Sequence, residues 1–254
     1  MSSHQGTAKQ DDWDGHWAAY SEASDYSPAV AYRRRVIRRL LGIGRQHKGV
    51  RLLEIGSGTG QFANEFCPRF PQVDFLGLDV SPEGVRQAKQ RTPSARFAVC
   101  DLLRTVTTEE VLSFRATHAL CSEVLEHVDD PVSLLKNSGS GMAPGCRLVV
   151  TVPGGPMNAF DRHIGHRKHF TAGELRAVLT SAGFTVEKAT GTGFPFFNLY
   201  RLALLSRGEG LVKMVSGPPS LLIKTSYHAF NTLGYLNMNN WGWQVAAVAN
   251  WQGH

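Results

Sequence analysis

The chain has 254 residues, with 27 Lys and Arg against 21 Asp and Glu, for a formal charge of +6. Hydrophobic residues make up 42% and charged residues 19%, which supplies a core and excludes wholesale disorder. Such a length lies at the top of the single-domain range, so one domain with insertions is expected rather than two.

Residues 1–12 read as an irregular lead. Residues 13–45 read as helical, with Trp13, Trp17 and Tyr20 on one face and an interruption at Pro28. Within this stretch Arg33, Arg34, Arg35, Arg38 and Arg39 form a dense basic cluster. Helical spacing spreads it around a solvated helix, with a phosphate-binding surface as the sharper alternative. From Val50 the pattern becomes strand alternating with helix. Strands are expected at 51–55, 73–79, 95–100, 118–122, 147–152 and 184–189. Helices are expected at 61–70, 82–91, 109–114, 131–139 and 172–182. Ser81 with Pro82, Asp130 with Pro131, and Thr171 are the start signals, and Gly183 is a stop. This rhythm predicts a parallel sheet with helices on both faces. It ends after Gly191. Residues 192–240 are rich in aromatics and contain a single acid, Glu209, which reads as an insertion. The apolar run 243–251 suits a last strand.

No apolar run approaches the roughly 20 residues of a membrane span. The opening MSSHQGTAKQDDWD lacks the apolar stretch of a secretory signal. Cys67, Cys100, Cys121 and Cys146 are far apart in sequence and make no CxxC pair. Buried free thiols and a cytoplasmic location are therefore expected.

The strongest local signal is LLEIGSGTGQF at 52–62, a strand running into a glycine turn. Glycines there allow a sharp turn and close approach of a ligand. Gln61 breaks the GxGxxG dinucleotide pattern, and no GK[ST] follows, so the turn is not a P-loop. Asp79 ends the next strand, 23 residues after Gly56, where an acid can accept the hydroxyls of a ribose. Asp101 and Glu123 end the third and fourth strands. Acids at three carboxyl ends of parallel strands sit where open α/β sheets bind ligands.

This set, E-x-G-x-G-x-G at 54–60 with Asp79, Asp101 and SEVLEHVDDP at 122–131, resembles the class I S-adenosylmethionine-dependent methyltransferases over about 45–190. The resemblance implies a Rossmann-like, seven-stranded, mostly parallel sheet with the last strand antiparallel. It implies a lid at 1–45, a cofactor-binding core at 46–191, a cap at 192–240 and a last strand at 241–254. By position it places Gly56, Gly58 and Gly60 around the aminoacyl part of the cofactor, Asp79 on the ribose, Asp101 and Leu102 on the adenine and Ser122 at the cofactor wall. Glu54, Ser57 and Val80 complete the implied contacts.

Methyl transfer from a sulfonium is a direct displacement, so alignment supplies most of the rate, and a hydroxyl acceptor also needs a base. His127 is the first candidate. His163 and His166, in DRHIGHRKHF, come next, with His169 beside them. Glu123, Glu126 and His127 are spaced for one helical turn, and with His166 they could hold a magnesium or manganese ion. The E-x-x-E-H run also resembles that of small-RNA 2′-O-methyltransferases and ubiquinone-pathway O-methyltransferases. The preferred expectation is O-methylation of a small, partly apolar molecule in specialised metabolism, with His127 or His166 as a general base. The alternatives are an RNA ribose methyltransferase and a non-catalytic cofactor-binding protein. The aromatic segment 192–240 is expected to roof the acceptor, to form a dimer surface or to serve as plain core for an extra helical layer.

Overall fold

The computed structural model describes residues 27–205 and 229–253. The expected aromatic face at Trp13, Trp17 and Tyr20 lies outside these residues. Seven strands form one sheet: β1 (Arg51–Ile55), β2 (Asp74–Asp79), β3 (Arg96–Val99), β4 (Ala116–Ser122), β5 (Met142–Pro153), β6 (Phe184–Thr192) and β7 (Gln244–Trp251). Their order is β3-β2-β1-β4-β5-β7-β6. The first five run parallel, and β7 lies antiparallel between β5 and β6. The order reverses between β1 and β4, so a crevice opens beyond their carboxyl ends, the place where such sheets take ligands.

Both faces of the sheet are covered, which explains why the strands read as continuous apolar runs. Successive residues of a strand point to opposite faces. Leu53 and Ile55 therefore join Leu76, Leu78, Leu148 and Val150 on one side. Leu52 joins Phe66, Phe75, Phe97 and Val149 on the other.

The helices are α1 (Pro28–Leu41), α2 (Gln61–Phe66), α3 (Pro82–Arg91), α4 (Glu109–Phe114), α5 (Pro131–Ser138), α6 (Ala159–His163), α7 (Ala172–Ser181) and α8 (Phe196–Leu205). Their caps follow the sequence signals. Ser81 and Asp130 accept from the backbone of the first turn, and Thr171 with Glu174 forms a full capping box. Pro28 starts α1 instead of interrupting a longer helix: a proline at the first helical position loses no hydrogen bond. Helix α2 stops at Phe66, short of the expected Phe70, and the chain closes ahead of Pro71 in turns where the N–H groups of Arg69 and Phe70 both donate to Phe66 O. Strand β5 starts at Met142, five residues earlier than expected, where Ala116 pairs with Met142 ahead of a register shift.

Of the five arginines of α1 only Arg39 is exposed, and the others are half-buried. Arg34 and Arg38 both reach Glu65. Arg35 donates to Asn231 and stacks 3.7 Å from the Tyr235 ring centroid. Tyr32, Val36, Ile37 and Leu41 bury the opposite stripe. All four cysteines are free, and Cys67, Cys121 and Cys146 are buried. No helix among the described residues is long and apolar enough to cross a membrane.

Candidate active site

The glycine turn is held from outside its own loop. The N–H groups of Gly56 and Ser57 both donate to Leu78 O, at 2.8 and 2.9 Å. Gly58 N donates to Asp79 Oδ2 at 2.7 Å, and Ser81 N donates to Asp79 Oδ1 at 2.9 Å. Asp79 thus shapes the turn. Gly56 and Gly60 have φ of +72° and +73°, a conformation that L side chains rarely adopt. A Cβ at Gly60 would lie 2.9 Å from Ala88 Cβ, so this glycine lets α3 pack against the turn. A Cβ at Gly56 would lie 2.3 Å from Val124 Cγ2. The turn therefore abuts the segment that carries Glu123, Glu126 and His127.

Three polar atoms around the turn are buried without a hydrogen-bond partner: Glu54 Oε2, Ser57 Oγ and Thr59 Oγ1. Burial pushes the Glu54 carboxyl well above the ordinary range, Arg34 opposing it and Asp79 adding to it. Val80 is half-buried after Asp79. Asp101 lies just past β3 and accepts from Leu103 N at 3.0 Å, while Leu102 is buried beside it. Ser122 shares a 2.9 Å hydrogen bond with Thr151 across the ends of β4 and β5.

Beyond β4 the chain turns sharply. Glu123 has φ of +57°, rare for a residue other than glycine. Its carboxylate accepts from Arg33 Nη1 at 2.9 Å and from Gln244 Nε2 at 3.0 Å, tying α1 and β7 to the end of β4. A single 3₁₀ turn, Leu125–His127, follows. Glu126 is fully buried, and neither carboxyl oxygen has a hydrogen-bond partner among the described residues, with His127 Nε2 4.0 Å from Oε1. Burial drives its pKa well above the usual carboxylate range, and the charge of Glu123 raises it further.

The 161–169 loop closes on this turn. Arg167 N donates to Glu126 O at 2.7 Å, and Arg167 pairs with Asp129. The His127 and His166 rings meet edge to face at 4.8 Å. Glu126, His127 and His166 each offer a ligand atom, all within 4.8 Å of one another. Glu123 stands outside that group, engaged by Arg33 and Gln244. His163 is exposed at the end of α6 and also stands outside it. Burial pushes His166 down to about 4 and lowers His169, so both imidazoles are neutral at neutral pH.

Sequence reasoning missed several members of this arrangement. Arg33, Gln244 and Arg201 act across sequence separations of 90, 121 and 40 residues, for which the chain carries no local signal. Asp161 was passed over although it sits in the singled-out DRHIGHRKHF. It is buried, accepts from Asn158 N at 3.0 Å, and pairs with Arg201 of α8 at 3.2 Å.

A seven-stranded sheet in this order, with a glycine turn after β1 and acids at the ends of β1, β2 and β4, defines a Rossmann-like S-adenosylmethionine-dependent methyltransferase. Residues 29–189 match the methyltransferase domain model, and the chain belongs to that family. It is 28% identical over 174 residues to a ubiquinone biosynthesis O-methyltransferase of Xanthomonas axonopodis pv. citri, covering 61% of this chain and 71% of the relative. It is 36% identical over 86 residues to a malonyl-[acyl-carrier protein] O-methyltransferase of Serratia marcescens, a match that spans only 34% of this chain and 33% of the relative. In fold it is similar to phosphoethanolamine N-methyltransferase 2 of Haemonchus contortus in complex with S-adenosyl-L-methionine, with a TM-score of 0.58 and 17% identity over 95% of this chain and 57% of that one.

Proposed function

We propose that the enzyme transfers a methyl group to a hydroxyl oxygen of a small, partly apolar molecule, with His166 accepting the hydroxyl proton. The observation that carries this reading is the contact between the glycine turn and the histidine group: Val124, in van der Waals range of Gly56, lies between Glu123 and the 3₁₀ turn of Glu126 and His127. The His166 imidazole meets the ring of His127, whose 3₁₀ turn follows directly on Val124.

The residues present fit S-adenosylmethionine. Glu54 Oε2, Ser57 Oγ and Thr59 Oγ1 are buried polar atoms left for a polar ligand to complete. Asp79 meets the ribose, Asp101 and Leu102 the adenine, and Val80 and Ser122 the walls. When bound, the cofactor supplies an activated sulfonium methyl and leaves as a neutral thioether. The chain's own task is alignment and removal of one proton. Burial to a pKa of about 4 keeps the His166 ring neutral across the neutral range, and it also makes the ring a weaker proton acceptor than an ordinary imidazole. His127, stacked edge-on to His166, borders the acceptor. The names of the two relatives favour oxygen as the accepting atom. The Arg33–Arg38 row is taken up by Glu123, Glu65 and Asn231, which weighs against RNA as the substrate. We assign the acceptor's roof to the 192–240 segment, which includes α8.

One specific observation favours a second reading. A fully buried carboxyl without partners is costly, and a divalent cation on Glu126, His127 and His166 would satisfy it. Magnesium or manganese there would polarise the acceptor hydroxyl. The test follows methyl transfer from radiolabelled S-adenosylmethionine to a panel of catechols, phenols, carboxylic acids and amines, with chelator or with manganese. Transfer to a hydroxyl that persists in chelator supports the base. Activity abolished by chelator and restored by manganese supports the cation. Transfer confined to amines would refute both.

A further inference from the structure

The histidines behind the site form a chain whose proton positions are fixed by its far end. His169 Nδ1 lies 3.0 Å from the Gly155 carbonyl oxygen, which can only accept, so that nitrogen carries the ring proton. The Nε2 of a neutral His169 is then bare. It lies 3.2 Å from His166 Nδ1. Two bare nitrogens cannot share a hydrogen bond, so His166 Nδ1 must be the donor. In neutral His166 this leaves Nε2 with its lone pair, as the ring nitrogen not engaged by His169. Asp161 reinforces the arrangement. Its carboxylate is 4.0 Å from His166 Nδ1 and 3.7 Å from His169 Nε2, and a negative charge there favours a proton between the rings. Arg201 reaches that carboxylate from α8.

We propose that His169, backed by Asp161 and Arg201, is a positioning residue that holds His166 in the Nδ1–H tautomer and so presents a bare Nε2 to the acceptor. This deepens the reading of His166 as the acting group and rests on it. A base and a metal ligand both require a bare Nε2, so the inference is the same for either. It also gives the 192–240 insertion a second duty, because α8 supplies the arginine that secures the buried acid. His169 touches no reacting atom; it acts through His166.

The test is the tautomer itself, read by long-range ¹H–¹⁵N correlation on protein labelled with ¹⁵N-histidine and saturated with S-adenosylhomocysteine at neutral pH. The His166 signals are assigned by their loss in His166→Asn. The expected wild-type pattern is a pyrrole-like Nδ1 and a pyridine-like Nε2. His169→Leu should mix or reverse the two while S-adenosylhomocysteine affinity changes less than about twofold. His169→Gln, whose amide oxygen can accept where Nε2 stood, should restore the wild-type pattern. A protonated Nε2 in the wild-type protein overturns the proposal whatever the variants do. So does a folded His169→Leu protein whose His166 tautomer is unmoved. The underlying reading fails separately: His166→Asn with undiminished methyl transfer would remove His166 from the chemistry and leave the tautomer result intact.

Discussion

Asp79 has two roles that a single substitution will not separate by activity alone. Its carboxylate holds Gly58 N and Ser81 N, and it is the residue assigned to the ribose. Asp79→Ala should weaken S-adenosylhomocysteine binding by about tenfold to a hundredfold, the loss of a charged hydrogen-bond acceptor worth roughly 1.5–3 kcal/mol. Isothermal titration calorimetry measures it, and unchanged affinity in a folded protein would remove the ribose assignment. Glu126 poses the opposite question, because among the described residues its carboxyl oxygens have no hydrogen-bond partner and only His127 Nε2 stands near, at 4.0 Å. Its folded pKa is raised above the ordinary value of 4.5. Stability from such a group is complete below that value and is lost as pH rises through the folded pKa. Glu126→Gln, isosteric with the protonated acid, should therefore melt at a higher temperature than wild type in alkaline buffer and match it in acid. A variant that melts lower throughout would show that the carboxylate has a partner after all, and manganese binding lost in the variant would identify it.

At the scale of elements, the glycine turn was legible because its signal is local: the residues that turn the chain are adjacent to one another and to a strand. Their reasons were less legible. Gly60 is required by the packing of α3, since its would-be Cβ meets Ala88. Gly60→Ala should cost about 2–4 kcal/mol, from a left-handed conformation imposed on alanine and an overpacked contact. Urea unfolding would show it as a lower midpoint at unchanged slope. Stability within about 0.5 kcal/mol of wild type, the range of neutral surface changes, would contradict that packing role. The spacing of Glu123, Glu126 and His127 suggested one helical turn aiming all three together. A 3₁₀ turn begins only at Leu125, and Glu123 bends back in the left-handed region to meet Arg33 and Gln244. Spacing could not reveal this, because both partners come from distant elements, one before the sheet and one in the last strand of the chain.

Across the whole molecule, the alternation of strands and helices, their caps and the antiparallel last strand could all be read from periodicity, start signals and the family resemblance. The histidine chain could not, because the order Asp161, His166, His169 acquires meaning only when Gly155 and Arg201 close on it. Acid sensitivity is its molecular signature. His166 falls from an ordinary 6.5 to about 4 on folding. The unfolded chain then takes up a proton that the folded one refuses, so this stability is present above pH 6.5 and is lost as pH falls toward 4. The shift corresponds to about 3 kcal/mol. His169 and His118 act in the same direction, and Glu54 and Glu126 in the other. The difference between wild type and His166→Gln isolates the term: the variant should lose less stability between pH 6.5 and 4, and parallel curves would show that His166 titrates normally. The most direct test of the central claim compares wild type and His166→Asn on two hydroxyl acceptors of one shape, a catechol and its nitro derivative that ionises by itself in the assay buffer. If His166 takes the acceptor proton, the variant loses roughly 10²–10⁴-fold in methyl-transfer rate on the catechol and far less on the pre-ionised nitrocatechol. An equal loss on both would contradict the account.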